Sequence, residues 1–166
     1  PIDGGWLLFT PEEKAAFLCE EPDAAPYFRR WIGSIEFING IERWFLWLRD
    51  ADPAAIRRMP AVRRRLDAVR RFRLGEEAGK NGRRAKDAGT AALAAKPTRM
   101  HVENVPTERY LVVPKVSSEA RLYVPMGWVD PHTLSSDLLF IAASTTTYHF
   151  GVMTSSMHNA FMRFTC

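Results

Sequence analysis

The sequence predicts an α+β fold, with N-terminal helices, a small mixed or antiparallel sheet, a basic helix and a C-terminal helical segment. Three observations support this class. Apolar residues recur at helical spacing in residues 60–74 and again in residues 153–164. Residues 44–48 form a wholly apolar run, and from residue 99 onward the pattern becomes strand-like.

The composition is that of a single globular domain. A length of 166 residues, 46% hydrophobic and 25% charged, suits one domain with a real core. No apolar run approaches the roughly 18 residues of a membrane span, and no signal peptide is visible. The two cysteines do not form a disulfide framework, so we expect a cytoplasmic protein. Because the chain lacks an initiator methionine and stops after an apolar helical pattern, we interpret residues 1–166 as a domain excised from a longer protein.

Start and stop signals place the N-terminal helices. Thr10 is a good N-cap, Pro11 suits the first helical position, and Glu13 completes a capping box. Pro22 should end this helix. A second short helix is expected over residues 23–31.

An Asn-Gly turn is predicted in the middle of a long apolar stretch. Asn39 and Gly40 both tolerate positive φ, which makes this pair a strong turn signal. Residues 35–38 and 41–48 are therefore expected to be extended. Within the second segment, residues 44–48 predict a strand that is buried on both faces.

A basic helix is the next predicted element. Asp52 should cap a helix from Pro53, Pro60 should restart it, and Gly75 should end it. Four apolar residues mark its buried face: Val62, Leu66, Val69 and Phe72.

Positive charge is concentrated around this helix. Residues 57–86 hold twelve Lys or Arg and three acidic residues, a local charge of +9, whereas the whole chain carries +4. This asymmetry favours a polyanion such as DNA as partner. The candidate phosphate contacts on the outer faces of the helix are Arg63, Arg64, Arg70 and Arg71. The alternative is a solvated amphipathic helix. Residues 76–98 are predicted to be a mobile basic loop, which either orders on a duplex or has no role.

The second half predicts a β-hairpin with a polar tip. Residues 109–116 and 121–129 are strand-like, and residues 134–143 offer a further strand. The candidate base-reading residues at the tip are Lys115, Ser117, Ser118, Glu119 and Arg121. The alternative is an ordinary turn with a surface ion pair. The apolar stripe through residues 153–164 predicts a helix whose methionines lie in the core.

Catalytic and cofactor motifs are not apparent. The chain has no Pro-Pro pair and no Gly-x-Gly-x-x-Gly, and its four histidines are far apart in sequence. We therefore assign no catalytic, cofactor-binding or metal-binding residues.

Three ordered segments carry a family resemblance. Residues 33–48 read G-S-I-E-F-I-N-G-I-E-R-W-F-L-W-L, residues 110–127 read Y-L-V-V-P-K-V-S-S-E-A-R-L-Y-V-P-M-G, and residues 148–158 read Y-H-F-G-V-M-T-S-S-M-H. This wording resembles the target recognition domain of MmeI-type enzymes. Those are type IIL restriction-modification proteins with an adenine-N6 DNA methyltransferase on one chain.

The resemblance implies a function. The expected role is sequence-specific recognition of double-stranded DNA for a methyltransferase domain of the same parent chain, with or without an endonuclease. S-adenosylmethionine would bind the parent outside this segment, and some specificity determinants would follow residue 166. Two alternatives remain: a stand-alone nucleic-acid-binding module, or a small hydrolase with an unrecognised site.

Overall fold

A computed structural model describes residues 3–85, 88–100, 103, 105–118 and 120–165. The strands in chain order are β1 (Leu8–Phe9), β2 (Phe28–Ile32), β3 (Trp44–Leu46), β4 (Tyr110–Pro114), β5 (Gly127–Val129), β6 (Leu134–Ser135) and β7 (Leu139–Ala142). The α-helices are α1 (Pro11–Glu20), α2 (Ser34–Asn39), α3 (Pro53–Arg58), α4 (Pro60–Arg73), α5 (Ala88–Ala92), α6 (Thr147–Thr154) and α7 (Ser156–Thr165). The α+β prediction is confirmed.

The chain forms two compact units. The first comprises residues 1–31 and 42–103, and the second comprises residues 32–41 and 104–166. Each unit has its own buried apolar residues and its own strands. The expectation that residues 1–166 act as one recognition domain stays a prediction.

The first unit begins as its sequence signals predict. Thr10 Oγ1 accepts a hydrogen bond from the Glu13 N–H at 3.2 Å, and Glu13 Oε2 accepts one from the Thr10 N–H at 2.9 Å. This capping box starts α1, and Pro22 follows its end. The predicted second helix is wrong beyond residue 27: a 3₁₀ helix over Pro22–Tyr27 gives way to strand β2.

Strand β2 forms because its side chains complete an aromatic core. Strands β1, β3 and β2 pair antiparallel in that order, with Phe28 opposite Leu46. The Phe28 ring lies edge-on to Phe9 and Phe17, with ring centroids 5.0 and 6.0 Å away. Such edge-to-face pairs add to the free energy of burial, so long-range packing here outweighs the local helical signal.

The basic helix forms as predicted. Asp52 Oδ1 accepts the Ala54 N–H at 2.9 Å and caps α3, and Pro60 begins α4. The four apolar residues of the predicted stripe are buried: Val62, Leu66, Val69 and Phe72. Gly75 ends the helix at a φ of +75°, a conformation that favours glycine.

The segment after α4, where a mobile basic loop is predicted over residues 76–98, contains regular elements. Residues 88–95 form α5 and a 3₁₀ turn. The buried Arg73 guanidinium donates to the carbonyls of Leu93, Lys96 and Arg99 at 3.0, 3.1 and 2.8 Å. Residues 86 and 87 lie outside the described residues, and mobility in solution stays a prediction.

The Asn-Gly pair ends a helix in the second unit. Residues 35–38 are helical, so the predicted extended segment is wrong. The Gly33 N–H donates to Glu36 Oε2 at 3.2 Å and starts α2. Gly40 adopts a φ of +64°, and the Ile41 N–H donates to the Glu36 carbonyl at 3.0 Å. The positive φ that the sequence signalled therefore serves a helix C-terminus.

Strand β4 is the centre of the second unit. It pairs antiparallel with β5 on one side and β7 on the other. Its buried Tyr110 and Val112 pack with Ile32 and Leu139, and Phe37 of α2 packs against them. The predicted strand over residues 121–129 is reduced to β5, and residues 134–143 supply two short strands, β6 and β7.

The C-terminal helical prediction is confirmed, but the predicted core role of its stripe is wrong. The stripe falls on α6 and α7, which Ser155 separates. Met157 is 83% exposed, Phe161 63% and Phe164 91%. The helical period predicts which apolar side chains share a face of the helices. It does not predict whether another part of the protein covers that face.

Candidate nucleic-acid interface

The arginines of α4 divide into buried and outward groups. Arg65 lies inward: its guanidinium donates to the Trp6 carbonyl at 2.9 Å and stands over the Phe9 ring, 4.5 Å from the centroid. Arg73 is also buried. Burial lowers the pKa of both Arg65 and Arg73, although nearby carboxylates oppose this. These two cations stabilise the first unit and are not free to meet a phosphate.

Two of the four predicted phosphate contacts already have acidic partners. Arg64 forms an ion pair with Glu20, and Arg71 Nε lies 2.7 Å from Glu77 Oε2. Arg64, Glu20 and Arg71 are exposed and Glu77 is partly exposed, so these surface pairs contribute little stability and the arginines can exchange them for other anions.

The other two predicted contacts are uncommitted. Arg63 and Arg70 are exposed, and within the described ranges their side chains have no hydrogen bond or ion pair. They lie seven residues apart on α4, which is about two helical turns. A cation without an internal partner loses least when it binds a phosphate. Arg63 and Arg70 are therefore the strongest phosphate candidates on this helix.

Further exposed cations flank the helix in the first unit. Arg57 and Arg58 occupy the last turn of α3, and Arg83 and Arg84 follow α4. Arg84 Nη1 approaches the Gly75 carbonyl at 3.4 Å. The charge count included these residues, but no spacing in the sequence distinguished them from other surface cations.

The predicted hairpin tip is a long connection. Strand β4 ends at Pro114 and β5 begins at Gly127, so residues 115–126 form what we call the β4–β5 connection. The predicted strands over residues 109–116 and 121–129 are therefore longer than the observed β4 and β5. The connection contains all five predicted base-reading residues, of which Glu119 lies outside the described residues.

The start of the connection is polar and exposed. Lys115, Ser117, Ser118 and Arg121 are all exposed. The Ser118 carbonyl accepts the Arg121 N–H at 3.1 Å, and Ser118 Oγ accepts the Ala120 N–H at 3.3 Å. Ser118 thus accepts two hydrogen bonds within the connection, and base reading by the five residues stays a prediction. The side chains of Ser117 and Arg121 remain available to a ligand.

Helix α7 holds the end of the connection. The buried Asn159 accepts the Val124 N–H on Oδ1 at 2.8 Å, and its Nδ2 donates to the Ser155 carbonyl at 2.8 Å. Arg163 donates to the Arg121 carbonyl. Sequence analysis missed both residues, because an Asn and an Arg on an amphipathic helix look like ordinary polar positions.

Other kinds of site find little support in the described part of the chain. No group of three His, Cys, Asp or Glu side chains there is arranged to hold a metal ion. His149 accepts the Thr146 N–H on Nδ1 at 3.1 Å and so caps α6. No described helix is both long and apolar enough to cross a membrane.

A cluster of exposed arginines along one helix is typical of domains that contact nucleic acids. The sequence matches the family of the MmeI target recognition domain over residues 1–166. The chain therefore belongs to that family, and the resemblance found in the sequence is confirmed.

Two relatives support this assignment. DNA methyltransferase A of Bacillus subtilis (strain 168) is 35% identical over 163 residues, which is 98% of this chain and 18% of the relative. A solved structure of the type IIL restriction-modification enzyme MmeI in complex with DNA is 39% identical, with a TM-score of 0.89. That match covers 98% of this chain and 21% of the enzyme. The chain thus spans about a fifth of the length of these relatives.

Proposed function

We propose that this domain recognises a double-stranded DNA sequence on behalf of a methyltransferase carried by the same polypeptide. One observation carries the proposal: nearly the whole chain superimposes, at a TM-score of 0.89, on part of an enzyme solved with DNA. The surplus of exposed arginine in the first unit is consistent with a polyanionic partner.

The two surfaces would contribute differently to DNA binding. Arg63 and Arg70 would bind phosphates, which supply affinity and register but no direct sequence information. The β4–β5 connection would supply groups suited to base edges. A Lys or Arg suits guanine acceptors, Glu suits the cytosine amine, and Ser suits either. In this scheme Arg121 and Glu119 are the side chains best suited to discriminate bases.

The methyl transfer itself would occur elsewhere on the parent. We infer that the parent transfers a methyl group from S-adenosylmethionine to adenine N6, and that cofactor and catalytic motif lie outside residues 1–166. The relative named DNA methyltransferase A supports a methyltransferase parent. The relative described as a restriction-modification enzyme supports an additional cleavage activity. A protein acting on DNA in this way is expected in the cytoplasm.

Methylome sequencing of a host that expresses the full-length parent tests the proposal. The expected result is one short motif with N6-methyladenine at nearly every occurrence. An otherwise identical host without the parent should lack that mark. A genome without any new methylated motif would overturn the proposal. It would favour a binding module without an attached enzyme.

A further inference from the structure

The β4–β5 connection has little structure of its own. The described residues between 115 and 126 include no helix or strand, and most of the described side chains from 115 to 123 are exposed. Even apolar Val116 and Leu122 are 73% and 68% exposed. Such a segment samples many conformations unless bonds from elsewhere restrict it. Its conformation therefore depends on the few contacts that it makes with regular elements.

Asn159 makes one of these contacts with its amide oxygen, while its amide nitrogen is bonded to the main chain before α7. Its side chain is buried, with 5% of its surface exposed, and it links Val124 of the connection to Ser155, the residue before α7. A buried amide with a donor and an acceptor both satisfied has a fixed orientation. The Val124 N–H is therefore held at a defined place against α7.

Arg163 makes the second contact from the same face of α7. It lies four residues after Asn159, the spacing that brings helical side chains together on one face. Its guanidinium donates to the carbonyl of Arg121, three residues before Val124. Two neighbouring helical side chains thus hold the connection at two main-chain points.

The far end of the connection is fixed by packing. A Cβ placed on Gly127 would lie 3.1 Å from the Phe37 ring, so main chain and ring are in close contact where β5 begins. Contacts at Arg121, Val124 and Gly127 thus hold the second half of the connection. Arg163 is the anchor nearest to the predicted base-reading residues.

We propose that Asn159 and Arg163 are positioning residues for DNA sequence recognition, holding the β4–β5 connection in its reading conformation. This inference rests on the proposed function of the domain. A segment held in one conformation presents its base-reading groups in a geometry that suits one set of bases, whereas a free loop can rearrange to suit others. Loss of the anchors lets Arg121 and its neighbours adapt to wrong bases. The predicted defect is in discrimination between sequences more than in affinity.

The test uses the full-length parent with Arg163→Ala, Arg163→Lys and Asn159→Asp, and Met157→Ala as matched control. Methylation rates are measured on duplexes with the wild-type motif and with single base changes in it. Arg163→Ala should reduce discrimination at one or more positions by at least about fivefold, the lower limit for one bidentate base contact. Arg163→Lys keeps a hydrogen-bond donor and should therefore keep most of the wild-type discrimination between duplexes. Asn159→Asp keeps the acceptor for the Val124 N–H but loses the donor to Ser155. Its discrimination should fall between that of Arg163→Ala and that of Arg163→Lys.

Met157→Ala tests whether any change on α7 alters discrimination. Met157 lies on the same helix, 83% exposed, and is not an anchor of the connection, so Met157→Ala should discriminate as the wild type does. Equal loss of rate on correct and changed duplexes with Arg163→Ala would overturn the inference, because a purely structural role lowers both together. Failure of the proposed function is recognised separately, by a wild-type parent that methylates no motif.

Discussion

The buried carboxylate of Glu21 caps helix α4 across the first unit. Its Oε2 accepts the Ala61 N–H at 3.0 Å, forty residues away in sequence. The helix begins at Pro60 and has no side-chain cap from its own N-cap residue, Met59. Glu21 therefore ties the end of α1 to the start of the basic helix, and it places a negative charge where the helix dipole favours one.

Replacing Glu21 by alanine should destabilise the chain by about 0.5–2 kcal/mol, the usual range for losing an N-cap acceptor. Urea denaturation gives the free energy of unfolding. Glu21→Gln keeps an acceptor and should lose less. The neighbouring exposed Glu20 forms a surface ion pair with Arg64, so Glu20→Ala is the matched control and should reduce the free energy of unfolding little. Equal losses at positions 20 and 21 would refute the capping role.

We expect the buried Tyr110 phenol to make the folded chain less stable at high pH. Burial raises the pKa of Tyr110 above its ordinary value of 10.0, partly offset by the hydrogen bond with Ser135. The phenol also donates to the Thr133 carbonyl at 2.7 Å. The unfolded chain ionises near pH 10 while the folded chain keeps the neutral phenol. The contribution of the neutral Tyr110 phenol to the free energy of unfolding is therefore complete below about pH 10 and falls as the pH rises further.

The measurement is the difference in unfolding free energy between the wild type and Tyr110→Phe as pH rises. The variant loses the hydrogen bonds at every pH, so it should be less stable at neutral pH. Above about pH 10 the gap should narrow, since phenylalanine cannot ionise. Tyr148→Phe, at an exposed position, should show no such narrowing. A gap independent of pH would contradict the role assigned to burial.

The uncommitted arginines should account for much of the salt dependence of DNA binding. If Arg63 and Arg70 each neutralise one phosphate, replacing both by glutamine should reduce the log–log salt slope by about 0.9 per contact. Affinity should fall similarly for all duplexes. Arg64→Gln with Arg71→Gln is the matched pair, and it should change the slope less because Glu20 and Glu77 compete for those cations. An unchanged slope with Arg63 and Arg70 replaced would assign them to a solvated face.

Glu119 should affect which sequence is methylated. Glu119→Lys in the full-length parent removes an acceptor suited to the cytosine amine and adds a donor suited to guanine. If Glu119 reads a base, the methylated motif should change or relax at one position, with discrimination altered by about 1–3 kcal/mol. Methylome sequencing compares the two proteins. An active variant that methylates the wild-type motif unchanged at every position would exclude base reading by Glu119.

The sequence predicted those elements whose signals are local. The Thr10 capping box, the Pro22 and Pro60 boundaries and the Gly75 stop each depend on residues within one helical turn, and the structure confirms them. The apolar face of α4 followed from its period, because an amphipathic helix must bury that face.

The elements that the sequence mispredicted depend on distant partners. Strand β2 exists because Phe28 meets Phe9 and Phe17, which no local window contains. Asn39-Gly40 predicted a positive φ, but the pair alone does not distinguish a turn between strands from the C-terminus of a helix. The link between Asn159 and Val124 joins residues 35 apart, so only the folded chain identifies it.

The central claim is that this domain determines the DNA sequence on which its parent acts. The most direct measurement exchanges residues 1–166 in the parent for the matching segment of a family member with a different, known motif. The methylome of the chimera is then sequenced. If the domain sets the sequence, the methylated motif should change, at one or more positions, to the bases of the segment's donor. An active chimera that keeps the original motif at every position would contradict it.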